Sequence, residues 1–545
     1  MAPDLRQVDR RRFLRAGAAG AVAAAAGRFE LQLHASPGRP VAAPFALEEA
    51  TVAELQQRLT TGVETARSLV EQYLERIESL DRRGPALHHV LDLNPDALAV
   101  ADALDAERRS RFRGPLHGIP VLIKDNIGTA DRMTTTAGSL ALEGSIAPRD
   151  AGLVRRLRAS GAIILGKTNL SEWANFRSTH SSSGWSGRGG QGRNPYALDR
   201  NPSGSSSGTG GAIAASYAAV GLGTETDGSI VSPSNNCGLV GIKPTVGLVS
   251  RAGIVPISHS QDTAGPMART VTDAAVLLSA IAGADPDDPA TTGAAGRAGR
   301  DYAAGLDRRA LQGARLGVPR KACFGQSAPA DRLAEEAIDV VRQLGAVIVD
   351  PAELPPSATL GESEMEVLLY EFKADLNAYL AGLGPTAPRR TLKDLMAFNE
   401  AHREREMPYF GQEIFVRAER KGPLADPAYT TAVAACRRWT RAYDAVMDTL
   451  RLDAFVAPTA GPAALTDLIN GDYGPNGCSM FPAVAGYPHV TVPAGFAFGL
   501  PVGLSFFGRA FSEDKLIGYA FAFEQATGHR RAPRFLPTAD LQAAV

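Results

Sequence analysis

The chain has 545 residues, 44% of them hydrophobic and 21% charged, with a formal net charge of −1, which supports a large folded core and excludes global disorder. With neither sign in excess, no bulk field draws the protein to nucleic acid or to an anionic membrane. The four cysteines form no C-x-x-C pair and the nine histidines no H-E-x-x-H, so neither metal nor cofactor is expected, while the oligomeric state stays open.

Arg10-Arg11-Arg12-Phe13-Leu14-Arg15 reads R-R-x-F-L-R ahead of an Ala/Gly-rich run from Ala16 to Gly27. Residues 1–35, ending near Leu33-His34-Ala35, resemble a twin-arginine export signal, which predicts a periplasmic or secreted protein. The run is too short and too poor in Leu, Ile and Phe for a stable membrane span. Thr51-Val52-Ala53-Glu54 is a capping box, and apolar residues at Leu55, Leu59 and Val63 predict a helix behind it. Leu69, Val70, Tyr73, Leu74 and Ile77 predict a second helix. GIPVLI (Gly118 to Ile123) reads as a buried strand running into Lys124, Leu153 to Ser160 as a helix, and Ala162 to Leu165 as a strand. Asn175 to Gly211, rich in Gly, Ser and Asn, is too long for an ordinary connection and marks a functional segment. Gly210 to Val220 reads as a helix of small residues.

Asp285 to Gly305 has the composition of a surface linker. It divides one large domain, 36–545, into a catalytic core of about 50–280 and a C-terminal part of about 310–545. That part continues as strand (Arg315 to Pro319), helix (Pro329 to Leu344), strand (Ala346 to Val349) and a long charged helical stretch from Leu392 to Arg420. The alternation of helices and short apolar strands predicts an α/β sandwich around a largely buried sheet.

Two motifs mislead. Gly204-Ser205-Ser206-Ser207-Gly208 fits the G-x-S-x-G nucleophile elbow with Ser206 at its centre, but Asp199-Arg200-Asn201-Pro202 leads into it where an elbow needs an apolar strand. Gly161 to Thr168 (GAIILGKT) fits the phosphate-binding G-x-x-x-x-G-K-T, yet Ala-Ile-Ile-Leu at its middle is strand sequence, which argues against a nucleotide site.

Lys124, the serine-glycine stretch and Gly223-Thr224-Glu225-Thr226-Asp227-Gly228-Ser229-Ile230 occur in order with GIPVLIKDNI, GAIILGKTNLSEWANF, GIKPTVGL, DTAGPMART, PAVAGYPHVTVPAG and GLPVGL. Together they resemble the amidase signature family of serine hydrolases. The resemblance implies that family's α/β fold, a mixed central β-sheet covered by helices on both faces in an α/β/α sandwich. It carries the family's catalytic lysine to Lys124, its bridging serine, entered through a cis peptide bond, to Ser205, and its nucleophile to Ser229. The chain departs from the family twice. Ser203 and Ser207 replace glycines of the usual G-G-S-S-G-G, and Glu225-Thr226-Asp227-Gly228-Ser229 stands where D-x-G-G-S is commoner. The backbone N–H groups of Thr226, Asp227, Gly228 and Ser229 are the expected oxyanion donors, and Trp173, Asn175 and Phe176 the expected substrate-pocket residues.

The chemistry is sound on its own terms. An amide carbonyl is a poor electrophile, so the attacking hydroxyl must lose its proton as it attacks, and a lysine accepts that proton only when burial has made it neutral. SEWANFRS, TETDGSIVSP and PTVGLVSRAGIVPISHSQDTAGPMAR are similar to members of the family that release ammonia from the C-terminal carboxamide of peptides, which implies a small-molecule or short-peptide amide as the partner. The alternatives are an amidase acting on aliphatic, aryl or fatty amides, the glutaminase subunit of a tRNA-dependent amidotransferase, and a non-catalytic amide-binding protein on the same scaffold. Lys243 and Arg269 read as structural, serving buried carbonyls or Asp262. His117, His180 and His259 are the alternative bases, His259 first among them. Ser229→Ala is expected to abolish turnover and Lys124→Ala to lower kcat by several orders of magnitude, with Ser205→Ala less severe because water can partly replace its hydroxyl. Wild-type turnover in Lys124→Ala would reject the lysine as base.

Overall fold

A computed structural model describes residues 45–297, 299–384, 387–473 and 477–543; the expected export signal at 1–35 lies outside them. Among the described residues thirteen strands are formed: β1 (Val90–Leu93), β2 (Pro120–Lys124), β3 (Ile163–Thr168), β4 (Trp185–Ser186), β5 (Gly190–Gln191), β6 (Val220–Glu225), β7 (Val240–Lys243), β8 (Thr263–Ala268), β9 (Arg315–Gly317), β10 (Val347–Val349), β11 (Ala454–Pro458), β12 (His489–Ala497) and β13 (Leu500–Phe507). Eleven make one sheet in the order β1-β3-β2-β6-β8-β7-β12-β13-β11-β9-β10, and β4 and β5 pair apart from it. The sheet is mixed. β2 runs parallel to β3 and β6, and β9 parallel to β10 and β11, while the remaining pairs are antiparallel. Helices flank it, and β2, β3, β6 and β7 are buried along their whole length, as their unbroken small and apolar sequences require.

One pairing positions the site. Val121 of β2 lies opposite Val220 of β6, and Ile123 opposite Leu222, so the two parallel strands leave the sheet at the same edge. Lys124 closes β2, and residues 226–229 turn away directly after β6. The helix Ser207–Ala214 packs across β2, β3 and β6. It lies this close because its residues are small: a Cβ on Gly211 would come within 1.9 Å of Nε2 of the buried His89.

Several elements start or stop away from their predicted limits. The capping box holds, Thr51 and Glu54 each accepting the other's backbone N–H, but Gly62 at φ 72° ends the helix and leaves Val63 72% exposed. The small-residue helix begins at Ser207 and ends at Ala214, and Val220 already belongs to β6. The stretch 392–420 is three helices, Leu392–Ala401, Arg403–Glu406 and Glu413–Glu419, interrupted around Pro408, which cannot donate to a helix. The strand expected at 162–165 runs on through Lys167 and Thr168, and Lys167 Nζ donates to Ile127 O and Thr135 Oγ1, so the phosphate-loop motif is strand. Residues 285–305 begin as an anchored turn: Asp285 accepts from the Ser250 hydroxyl and from Arg155, and Asp288 from Arg251. Among the described residues no helix is long and apolar enough to cross a membrane.

The interruption at Pro408 has a structural use. Glu406, fully buried, accepts from the Ser139 hydroxyl and the Leu140 N–H, while its carbonyl accepts from Arg177. Arg177, also fully buried, pairs with Glu172 at 2.6 Å and lies 4.4 Å over the Phe410 ring. This network clamps the turn Glu172–Asn175 beneath the serine-glycine segment. Arg177→Met should leave two buried carboxyl groups without their cation and destabilise the protein by about 3–5 kcal/mol. The check is the urea midpoint, with a shift of under about 1 kcal/mol rejecting the network's role.

Candidate active site

Lys124 is fully buried, and its amine reaches no carboxylate among the described residues. Nζ lies 2.8 Å from Ser205 Oγ, 2.9 Å from Thr224 Oγ1 and 3.3 Å from Thr224 O. Burial pushes its pKa down to about 7, against the longer-range pull of Glu225 and Asp262; this corresponds to about 5 kcal/mol against the ammonium. As a neutral amine it offers two N–H donors to Thr224 and a lone pair toward the Ser205 hydroxyl. Asn126 Nδ2 donates to the same Thr224 Oγ1 at 2.9 Å.

Ser205 is joined to Gly204 by a cis peptide bond. Its carbonyl accepts from the Ser171 N–H, and a Cβ on Gly204 would lie 2.1 Å from Ser171 Oγ, so a side chain there would have to displace that hydroxyl. The next residue ties the two halves of the site together. Ser206 N–H donates to Ser229 O at 3.0 Å, and the Ser206 hydroxyl donates to Thr224 O. The centre of the apparent elbow is thus a buried strut, and Ser205 and Ser229 stand on either side of it. Ser203, where the resemblance gives glycine, adopts φ 62°, a left-handed conformation that side chains disfavour.

The turn Thr226 to Ser229 is shaped from behind. Glu225 accepts from the Ile230 and Val231 N–H groups at 2.7 and 3.0 Å, and Gly228 supplies a positive φ of 79°. Among the described residues the backbone N–H groups of Thr226, Asp227, Gly228 and Ser229 donate to no protein acceptor, which leaves them for a ligand oxygen.

Two cavities adjoin this turn. The larger, about 770 Å³, is lined by Gly204, Asp227 and Gly228 together with Asn175, Glu364 and Asp472. The smaller, about 460 Å³, lies against Asn126, Thr224 and Thr226 and is walled by Ile254, Val255 and Leu383. Of the three expected pocket residues Asn175 lines the larger of these cavities, and Trp173 and Phe176 line neither. Trp173 and Phe176 are 2% and 6% exposed and pack into a core cluster, edge-on to Phe415 and Phe372 respectively. The reason is a run of left-handed residues, Trp173, Ala174 and Asn175 at φ 53°, 52° and 69°, which turns both aromatic rings inward.

None of the alternative bases touches Ser205 or Ser229 among the described residues. His117 is buried against Leu104 O and the Arg113 N–H, and His180 is exposed beside Glu413. His259 has carboxylates at both ring nitrogens, Asp375 at 2.9 Å and Glu371 at 3.2 Å, and the Asp375 hydrogen bond raises its pKa, so it favours the protonated form that cannot accept a proton. These three are the one group of His and acidic side chains near enough to share an ion among the described residues, and Glu371 already accepts from the Ser258, Ser260 and Tyr429 hydroxyls. Arg269 donates to the carbonyls of Ala50, Ile213 and Ala218, as expected of a structural residue. Lys243 is fully buried beside the Pro244 carbonyl. Sequence reasoning did not single out Asn126, Thr224, Gln261 or Glu364. The first three lie inside motifs named above, whereas Glu364 sits on the helix Leu360–Gly382 and no local pattern marks it.

A family model described as Amidase matches residues 68–517. The structure of native peptide amidase from Stenotrophomonas maltophilia is 54% identical, with a TM-score of 0.86, covering 90% of this chain and 100% of that one. A probable amidase of Arabidopsis thaliana is 44% identical over 90% of this chain and 93% of its own length. A glutamyl-tRNA(Gln) amidotransferase subunit of Roseiflexus sp. is 34% identical over 89% and 98%.

The buried amine leaves a thermodynamic trace. Below pH 7 the folded protein carries the full penalty of a buried ammonium. Between pH 7 and about 10 the unfolded chain binds a proton that the folded one lacks, so this group's contribution makes stability rise with pH. Lys124→Met should therefore raise the urea midpoint at pH 6, with a gain that shrinks toward pH 10. Equal gains at the two pH values would mean that Lys124 titrates as an ordinary lysine.

Proposed function

Because the chain belongs to the amidase signature family and is an amide-hydrolysing enzyme, we propose that its substrate is the C-terminal carboxamide of a short peptide, cleaved with release of ammonia. The observation that carries this reading is the 54% identity to peptide amidase across that protein's whole length, well above the 34% shared with the amidotransferase protein. The cavity of about 770 Å³ beside the turn falls within the size range of sites that enclose small ligands.

In this mechanism Ser229 Oγ attacks the carboxamide carbon. Its proton passes to Ser205 Oγ as the Ser205 proton passes to Lys124 Nζ. The oxyanion is held by the N–H groups of Thr226 to Ser229, donors worth about 3 kcal/mol each in other serine hydrolases. Collapse returns the proton through Ser205 to the departing nitrogen, and ammonia leaves. Water then attacks the ester on Ser229 by the same relay, releasing the peptide acid. The paired arginines ahead of the Ala/Gly-rich run add export to this reading, so the enzyme acts in the periplasm or outside the cell.

Amidated di- and tripeptides, the same peptides as free acids, and simple aliphatic and aryl amides form the decisive panel, with ammonia release and product mass as readouts and Ser229→Ala as control. Loss of the terminal amide alone, with internal peptide bonds intact, is expected. Turnover confined to the simple amides would overturn the peptide assignment while leaving an amidase. On the favoured substrate kcat/KM should fall as pH drops through about 7, where the Lys124 amine takes up a proton.

A further inference from the structure

The turn carries one side chain that this mechanism leaves idle. Asp227 occupies the first glycine position of the commoner D-x-G-G-S pattern, so a carboxyl group stands where most of the family has a hydrogen atom. It lines the larger cavity beside Gly228 and Gly204. Its Oδ1 is buried and, among the described residues, has no hydrogen-bond partner. A buried acceptor in that state is expensive, and a ligand N–H relieves it.

The surroundings fix the sign of what enters. The other ionisable carboxyl groups of the lining are Glu364 and Asp472, and no lysine or arginine is among its described residues. Glu364 is 7% exposed; burial and the neighbouring Asp227 charge raise its pKa, while burial and the Glu225 charge raise that of Asp227 to about 6 against a hydrogen bond from Ser479. Gln261 Nε2 bridges Glu364 Oε1 at 2.8 Å and Thr226 O at 3.3 Å, which keeps the acid pair in register with the oxyanion turn. Asp472 is held by the Ser183 N–H and by Asn201. A free acceptor next to the reacting carbonyl, in a cavity of carboxyl groups, suits a neutral ligand with an N–H donor and opposes an anion.

A peptide amide has such a donor, the N–H on the α-carbon adjoining the scissile carbonyl; aliphatic and aryl amides lack it. We propose that Asp227 Oδ1 accepts this N–H and thereby selects acylamino-acid amides over simple amides, and that Asp227 and Glu364 together keep peptide carboxylates, the reaction product among them, out of the cavity. This rests on the peptide-amide reading.

The test compares N-acetylphenylalanine amide with 2-benzyl-4-oxopentanamide, in which CH₂ replaces the N–H, using the full-length enzyme. Wild type should favour the first by about tenfold or more in kcat/KM, the range of a hydrogen bond to a charged acceptor, and Asp227→Gly should bring the ratio close to one. In Asp227→Asn and Glu364→Gln, which keep size and hydrogen-bonding shape, the free acid N-acetylphenylalanine should bind at least about fivefold more tightly, read both as Ki and by calorimetry. A ratio that Asp227→Gly leaves unchanged, or free-acid affinity unmoved in both neutral variants, overturns the proposal while the peptide-amide reading stands. Absence of wild-type turnover on both amides overturns the two together.

Discussion

Everything in the site depends on a lysine amine buried, among the described residues, without a carboxylate in hydrogen-bond reach. In water that amine would be charged at neutral pH; at the end of β2, against Thr224 and Ser205, the charged form is disfavoured by about 5 kcal/mol and the pKa falls to about 7. Hydroxyl and carbonyl oxygens satisfy the nitrogen without neutralising a charge. The parallel pairing of β2 with β6 makes this possible. It brings the Lys124 side chain within reach of Thr224, and the Ser206 strut then ties the serine-glycine segment to the turn that carries Ser229.

Such an arrangement is unfavourable in its own right, and the surrounding structure offsets it. Residues 173–175 and Ser203 hold left-handed backbone, each at a cost of about 1–2 kcal/mol. Beneath the first of these lies the Glu172–Arg177–Glu406 network, and behind the turn lies Glu225, capping two N–H groups. Left-handed backbone and buried charge occur elsewhere too, as at Ser216 and Arg269, but around this sheet edge several of them converge on one group of side chains. This is the pattern of a fold whose stability is spent locally to hold reactive groups in place.

How much of this the sequence disclosed follows from the range of the interactions involved. The capping box at Thr51, the strand into Lys124 and the strand expected at 162–165 are set by neighbours within a few residues and were readable, although the last runs on to Thr168. So was the failure of Ser206 as an elbow, because the segment before it is polar. The broken helix at 392–420 was obscured because charge and helix propensity persist across Pro408, and the break is stabilised by partners such as Ser139 and Arg177, more than two hundred residues away. Trp173 and Phe176 were misplaced because nothing local reveals three consecutive left-handed residues. Glu364 is silent in sequence, since it meets Asp227 only through the packing of a distant helix.

That distance separates two kinds of inheritance along the chain. The groups of the proposed relay, from Lys124 to Ser229, come from one continuous fifth of the polypeptide. Much of the cavity wall, including Gln326, Glu364, Leu465, Asp472 and Met480, comes from its C-terminal portion. Substitutions or loop exchanges in the later portion can therefore redraw which amide is admitted while the proposed relay stays untouched. A scaffold divided in this way is suited to diversification, because new substrate ranges can arise by drift in one segment without the enzyme passing through an inactive ancestor.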